Sequence, residues 1–119
     1  MKDEKDDLRS RTKAFALRII KLYETLPHSG SAHVLGRQLL RSGTSVGANF
    51  REAHRARSNA EFISKVGDSL KELEETSYWL ELLADSGAVK AAKLSALLDE
   101  TSQLIAILTA ISKKVRARP

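Results

Sequence analysis

No cysteine occurs among the 119 residues, which excludes disulfides, thiolate metal sites and cysteine nucleophiles. Proline is nearly as scarce. Pro27 and the terminal Pro119 are its two occurrences, so one helix breaker interrupts the chain. Aromatic residues form 5% of the sequence, with a single tryptophan. Trp79 is therefore a better anchor for a core or a subunit interface than a platform for stacked bases. No apolar run approaches the roughly 20 residues needed to cross a bilayer. The start, MKDEKDDLRS, is polar and acidic and lacks the apolar centre of a signal peptide. A soluble, cytoplasmic protein is the expectation. Strand-like alternation is missing too, while Leu, Ala, Glu, Lys and Arg abound. The length suits one domain spanning residues 1–119.

Apolar spacing divides the chain into four helices, at about 6–26, 31–56, 59–86 and 89–115. In the first, Leu8, Thr12, Phe15, Ile19, Leu22 and Leu26 recur at intervals of four and three, with Asp6 or Asp7 as candidate caps. Pro27 ends it, and Ser29 or Ser31 can cap the second helix. There the apolar face reads Leu35, Leu39, Gly43, Val46, Phe50 and Ala53. Ser58-Asn59-Ala60-Glu61 is a capping box for the third helix, whose heptad reads Ile63, Val66, Leu70, Leu73, Ser77, Leu80 and Ala84. Gly87 suits a C-terminal cap. The fourth helix carries Leu94, Leu97, Thr101, Leu104, Leu108, Ile111 and Val115. Long helices with short connections pack as antiparallel neighbours, so the expected fold is all-α, an up-down-up-down four-helix bundle. Leu17, Ile20, Tyr23, Leu40, Trp79, Leu82, Leu83, Leu98, Ile105 and Ile107 fall outside these seams. Some widen the core stripe, and the rest favour burial against another subunit.

Residues 41–53, RSGTSVGANFREA, are the most informative stretch. Glycine costs a helix about 1 kcal/mol relative to alanine. Gly43 and Gly47, one turn apart in mid-helix, point to close packing, with a break near Gly43 as the alternative. Arg41, Ser45, Asn49 and Glu52 fall within about 80° of one another on the helical wheel. They form a polar stripe suited to ordering an assembly, which Arg37 and Arg55 extend. Glu52 and Arg55 are spaced for an i,i+3 pair.

Charge is segregated. Residues 30–57 carry five basic groups and one acidic, residues 58–86 two and seven, and residues 88–119 six and two. Oppositely charged helices lying side by side account for this pattern. A basic surface for nucleic acid is the sharper reading, with Arg37, Arg41, Arg51, Arg55, Arg57, Lys113, Lys114, Arg116 and Arg118 as contacts. Motifs for chemistry are missing. No Glu-x-x-His pair provides the di-metal site of some helical bundles, His28 lies in a turn, and His33 and His54 have no i,i+4 partner ligand. Ser42, Thr44 and Ser45 lack a nearby histidine base, and Glu72 and Glu75 read as a salt-bridged face. Gly43 and Gly47 follow no strand and precede no G-K-[ST]. No enzyme, cofactor, metal or small-molecule substrate is expected.

The pattern Arg41-Ser42-x-x-Ser45-Val46-x-x-Asn49-Phe50-x-Glu52-Ala53, followed by Phe62, Lys65, Glu72, Glu75, Trp79 and Leu80, resembles the bacterial four-helix bundle family of 23S rRNA intervening-sequence proteins. The likeness runs from about Phe15 to Ile111. Many relatives have glycine where this chain has Ala53, a departure that bears on helix flexibility more than on chemistry. The resemblance implies a four-helix bundle assembled as a homopentamer. A similar protein is an accessory factor in diversity-generating retroelements, where a basic pentamer binds nucleic acid and a reverse transcriptase. Two readings follow. The first is a non-enzymatic oligomeric scaffold. The alternative is a nucleic-acid-binding accessory protein with a reverse transcriptase or ribonucleoprotein partner.

Overall fold

The computed structural model describes residues 4–118. They form four helices, α1 (Glu4–Thr25), α2 (Gly30–His54), α3 (Asn59–Asp85) and α4 (Ala91–Arg116), in a rod of 50 × 22 × 21 Å. Numbers that rise along one helix fall along its neighbour. Gly36, Gly43 and Gly47 of α2 face Leu26, Ile19 and Thr12 of α1. Ser42 and Val46 meet Thr76 and Ser69 of α3. The result is an antiparallel up-down-up-down four-helix bundle, and α2 runs unbroken through both glycines.

The connections follow from local chemistry. Pro27 closes α1, and Gly30 takes the positive φ of 70° that the turn into α2 requires. Ser29 is the N-cap of α2, although its side chain makes no capping bond. α1 starts at Glu4, so Asp7 lies inside the first turns rather than at the cap. The side chain of Asp6 lies outside the described part. Ser58 caps α3 by accepting from the Glu61 N–H at 3.0 Å. The reciprocal arm reaches one residue further than the motif foretells, with Glu61 accepting from the Arg57 N–H at 3.5 Å. Gly87, at φ 81°, donates to the Ala84 carbonyl and Val89 to that of Leu83, which terminates α3 with a left-handed glycine.

The core is continuous. Phe15, Ile19, Leu39, Val46, Phe50, Leu73, Leu80, Leu104 and Leu108 are fully buried, each contributing about 1.5–3 kcal/mol of transfer free energy. The stripe of α4 packs as its spacing foretells. By length and composition α4 is also apolar enough to cross a membrane, with a mean hydropathy of 1.4, but Leu94, Leu97, Leu104, Leu108, Ile111 and Val115 form one stripe buried in the core.

The seam of α3 departs from the heptad read in the sequence. Val66, Leu73 and Leu80 are core residues, but their partners are Phe62, Ser69, Thr76 and Leu83, one residue before Ile63, Leu70, Ser77 and Ala84. Leu83, placed outside the seams, is fully buried. The reason is close approach. Ser69 and Thr76 are small enough to lie against α2, and each has its hydroxyl satisfied there or on its own helix. The Ser69 Oγ donates to the Val46 carbonyl at 2.9 Å, and the hydroxyls of Ser42 and Thr76 share a hydrogen bond at 2.8 Å. Buried hydroxyls paired in this way cost little.

Candidate functional site

The face of α2 toward α1 is stripped of side chains. A Cβ on Gly43 would lie 2.8 Å from Ile19 Cγ1, and one on Gly47 would lie 3.2 Å from the Thr12 hydroxyl. The two helices touch where the glycines are. α2 is thus wedged between α1, met through glycine, and α3, met through serine and threonine.

Arg41, Ser45, Asn49 and Glu52 flank the α3 seam instead of lying opposite the core. The Arg41 guanidinium donates to the Glu72 carboxylate at 3.0 Å and to Glu75 at 2.7 Å. The bond to Glu72 and the two nearby carboxylates raise its pKa against a smaller effect of burial. Ser45 donates back to the Arg41 carbonyl at 2.7 Å, a common way for serine to be satisfied within a helix. Glu52 pairs with Lys65 of α3 at 3.2 Å, and not with Arg55 as the spacing suggests. α3 lies within reach on that side, so a cross-helix partner replaces the local one. Asn49 lines an open cleft of about 270 Å³ with Arg41, Asp68, Lys71, Glu72 and Glu75. The stripe is engaged largely within its own chain.

Beyond the ion cluster the same α2–α3 surface turns apolar. Val34 is 60% exposed and Tyr78 53%. The register set by Ser42 with Thr76 and Arg41 with Glu75 brings Val34 alongside the turn of α3 that carries the half-buried Trp79 and Leu82. The rings of Tyr78 and Trp79 lie 5.3 Å apart. Trp79 Nε1 is buried without a hydrogen-bond partner among the described residues. On α1, Leu17 is 52% exposed.

The candidate basic contacts divide into two groups. Arg37 lies with His33, Val34, Gln38 and Arg41 along a cleft of about 400 Å³ on the N-terminal half of α2, and Arg41 is held by acids. The other seven gather at the opposite end of the rod. Arg51 and Arg55 project from the last turns of α2, Arg57 from the loop, and Lys113, Lys114, Arg116 and Arg118 from the end of α4, all exposed. A small cleft of about 160 Å³ lined by Arg57, Ser58 and Arg118 joins the three segments. His28 and His33 stack edge to face, with ring centroids 6.1 Å apart. Among the described residues no group of three or more His, Asp or Glu side chains could hold a metal ion.

One contact gave no sequence signal. Arg11 of α1 forks onto Glu100 of α4 at 2.7 and 2.8 Å and also donates to Gln103 at 2.8 Å. It spans the α1–α4 seam, the thinnest contact of the bundle. The bond from Arg11, aided by the charges of Arg11 and Arg18, holds the Glu100 carboxyl below its ordinary value despite burial. With the partners 89 positions apart in sequence, no local pattern could have joined them.

Comparisons with known proteins agree with this geometry. A family model described as 23S rRNA-intervening sequence protein matches residues 4–110. A crystal structure at 1.70 Å resolution, of a protein of unknown function from the S23 ribosomal protein family of Bacteroides thetaiotaomicron VPI-5482, is 37% identical. It superposes with a TM-score of 0.87, covering 93% of this chain and 99% of that one. No curated protein matches.

Proposed function

The chain belongs to the 23S rRNA-intervening sequence protein family, and from that premise we propose that it is a non-enzymatic scaffold, an interaction module built by packing copies of the bundle against one another. One observation carries the reading. The α2–α3 surface exposes Val34 and Tyr78 by more than half, beside the half-buried Trp79 and next to the Arg41–Glu72–Glu75 cluster. Aromatic side chains bordered by arginine are what interface centres are made of, and the ion cluster supplies a register beside them. Leu17, on α1, offers a second and different apolar contact. Two unlike patches suit head-to-tail contacts, which form a ring when the rotation between copies closes. A ring is compatible with the homopentamer that the family resemblance implies.

Light scattering across micromolar concentrations tests the proposal. The expected result is a defined oligomer that the double variant Val34→Glu, Tyr78→Glu converts to monomers of unchanged helicity. A monomeric wild-type protein would overturn it.

A further inference from the structure

We infer that the α1 face centred on Leu17 docks onto the α3 face centred on Tyr78 of a second copy, an apolar contact flanked by lysines on one side and carboxylates on the other. The contact rests on the scaffold reading above and names the surface that its α2–α3 patch meets. Among the described residues the large apolar side chains left exposed are Leu17, Val34 and Tyr78. Val34 and Tyr78 belong to the patch, so Leu17 is the apolar counterpart available to cover it. Leu17 projects away from the core, since Phe15 and Ile19, two positions to either side, are fully buried and lie about 160° from it around the helix. Tyr78 does the same on α3, between the buried Thr76 and Leu80.

Charge makes the two faces complementary. Residues 8–23 of α1 carry five basic side chains and no acidic one, and residues 72–85 of α3 carry five acidic and no basic. Neighbouring helices answer only part of this. Arg11 is taken by Glu100, and Glu72 and Glu75 by Arg41. Lys13 and Lys21, one turn before and after Leu17, are exposed and have no ion-pair partner among the described residues. The same holds for Glu74, Glu81 and Asp85 around Tyr78. All five lie within about 60° of the side chain at their centre. Asp85 also ends α3, whose last turn has no basic residue. A carboxylate there opposes the helix dipole, and a cation brought from outside relieves it. The opposite signs, Glu24 on α1 and Lys71 on α3, stand at the rims, about 10 Å along the helix from each centre. Within one chain α1 and α3 do not touch. They are diagonal members of the bundle, so their outer faces point to opposite sides and meet only between copies. An apolar centre with a charged rim is how interfaces are built. The contacts of each face with itself are disfavoured, because Leu17 on Leu17 sets lysine against lysine and Tyr78 on Tyr78 sets carboxylate against carboxylate.

The chain has no cysteine, so introduced thiols are the only ones present. The full-length double variant Leu17→Cys, Tyr78→Cys, treated with a short bismaleimide, should give a ladder of covalent multimers on a denaturing gel. Leu17→Cys alone and Tyr78→Cys alone should stay monomeric on that gel. Light scattering at low salt, where surface charge is least screened, then reads the rim. Lys13→Glu with Lys21→Glu, and separately Glu74→Lys with Glu81→Lys, should each weaken association at least about tenfold. All four changes in one chain should bring it back to within about threefold of wild type, a coupling that independent sites would not show. Every position changed is exposed, and circular dichroism checks that each variant keeps its helices. Three results overturn the inference: an oligomer whose double-cysteine chain does not cross-link, cross-linking by Tyr78→Cys alone, or a fourfold variant that associates no better than the two pairs. Each leaves the scaffold standing, because the copies still assemble through another surface. A monomeric wild-type protein overturns both.

Discussion

Gly43→Ala isolates the packing that sets the spacing of α1 and α2. In an isolated helix the change would stabilise by about 1 kcal/mol. Here the added methyl would lie 2.8, 2.9 and 3.2 Å from Cγ1, Cγ2 and Cβ of Ile19. Ile19 is fully buried, and its β-branch leaves one favoured rotamer in a helix. Its Cβ can retreat only if the α1 backbone moves. Overpacking of a tight core costs about 1–3 kcal/mol, and three contacts on a stiff side chain belong at the upper end. The net expectation is destabilisation of about 1–2 kcal/mol, despite the gain in propensity. Gly67 is the control, since nothing lies within 4 Å of a Cβ built there. Gly67→Ala should therefore stabilise by about 0.5–1 kcal/mol. Urea denaturation followed at 222 nm reads both, at one protein concentration because assembly contributes to apparent stability. Adding Ile19→Ala should remove most of the penalty at Gly43, a coupling visible in a double-mutant cycle. A Gly43→Ala protein as stable as wild type, or more so, would refute the claim that glycine there serves close contact.

Three further outcomes follow from the same contacts. The Glu100 carboxyl is held below its ordinary value in the fold by Arg11. Its stabilisation is therefore complete above the unfolded value of about 4.3 and is lost as pH falls through the folded one. Glu100→Gln should remove that part of the acid sensitivity, and an unchanged stability profile between about pH 5 and 3 would contradict the assignment. Thr76→Val takes away the nearer partner of the buried Ser42 hydroxyl, leaves it the Leu39 carbonyl at 3.4 Å, and should cost about 0.5–1.5 kcal/mol in thermal or urea unfolding. Adding Ser42→Ala should recover part of it, and additivity would argue against the pair. Ser58→Ala removes the cap on α3 and should cost about 1 kcal/mol in the same assay, whereas Ser29→Ala, at a cap whose side chain makes no bond, should cost far less.

The helices and their order were legible in the chain because each depends on neighbours a few residues away. Apolar residues every three or four positions, Pro27, the Ser58–Glu61 cap and Gly87 act locally, so four helices could be placed and an antiparallel bundle deduced from their short connections. The glycines announced close contact but not with which helix. The same local rules misplaced the α3 seam by one residue, since Leu70 looks more like core than Ser69 does. Ser69 is buried only because a carbonyl of α2 waits to receive its hydroxyl. Tertiary structure alone decided that Arg41 meets Glu72 and Glu75, that Glu52 takes Lys65 over Arg55, that Arg11 clips α1 to Glu100, and that seven cations from two distant segments share one end. Such pairings depend on which helices become neighbours and in what register. Burial across the whole bundle sets that register, and no window of sequence contains it.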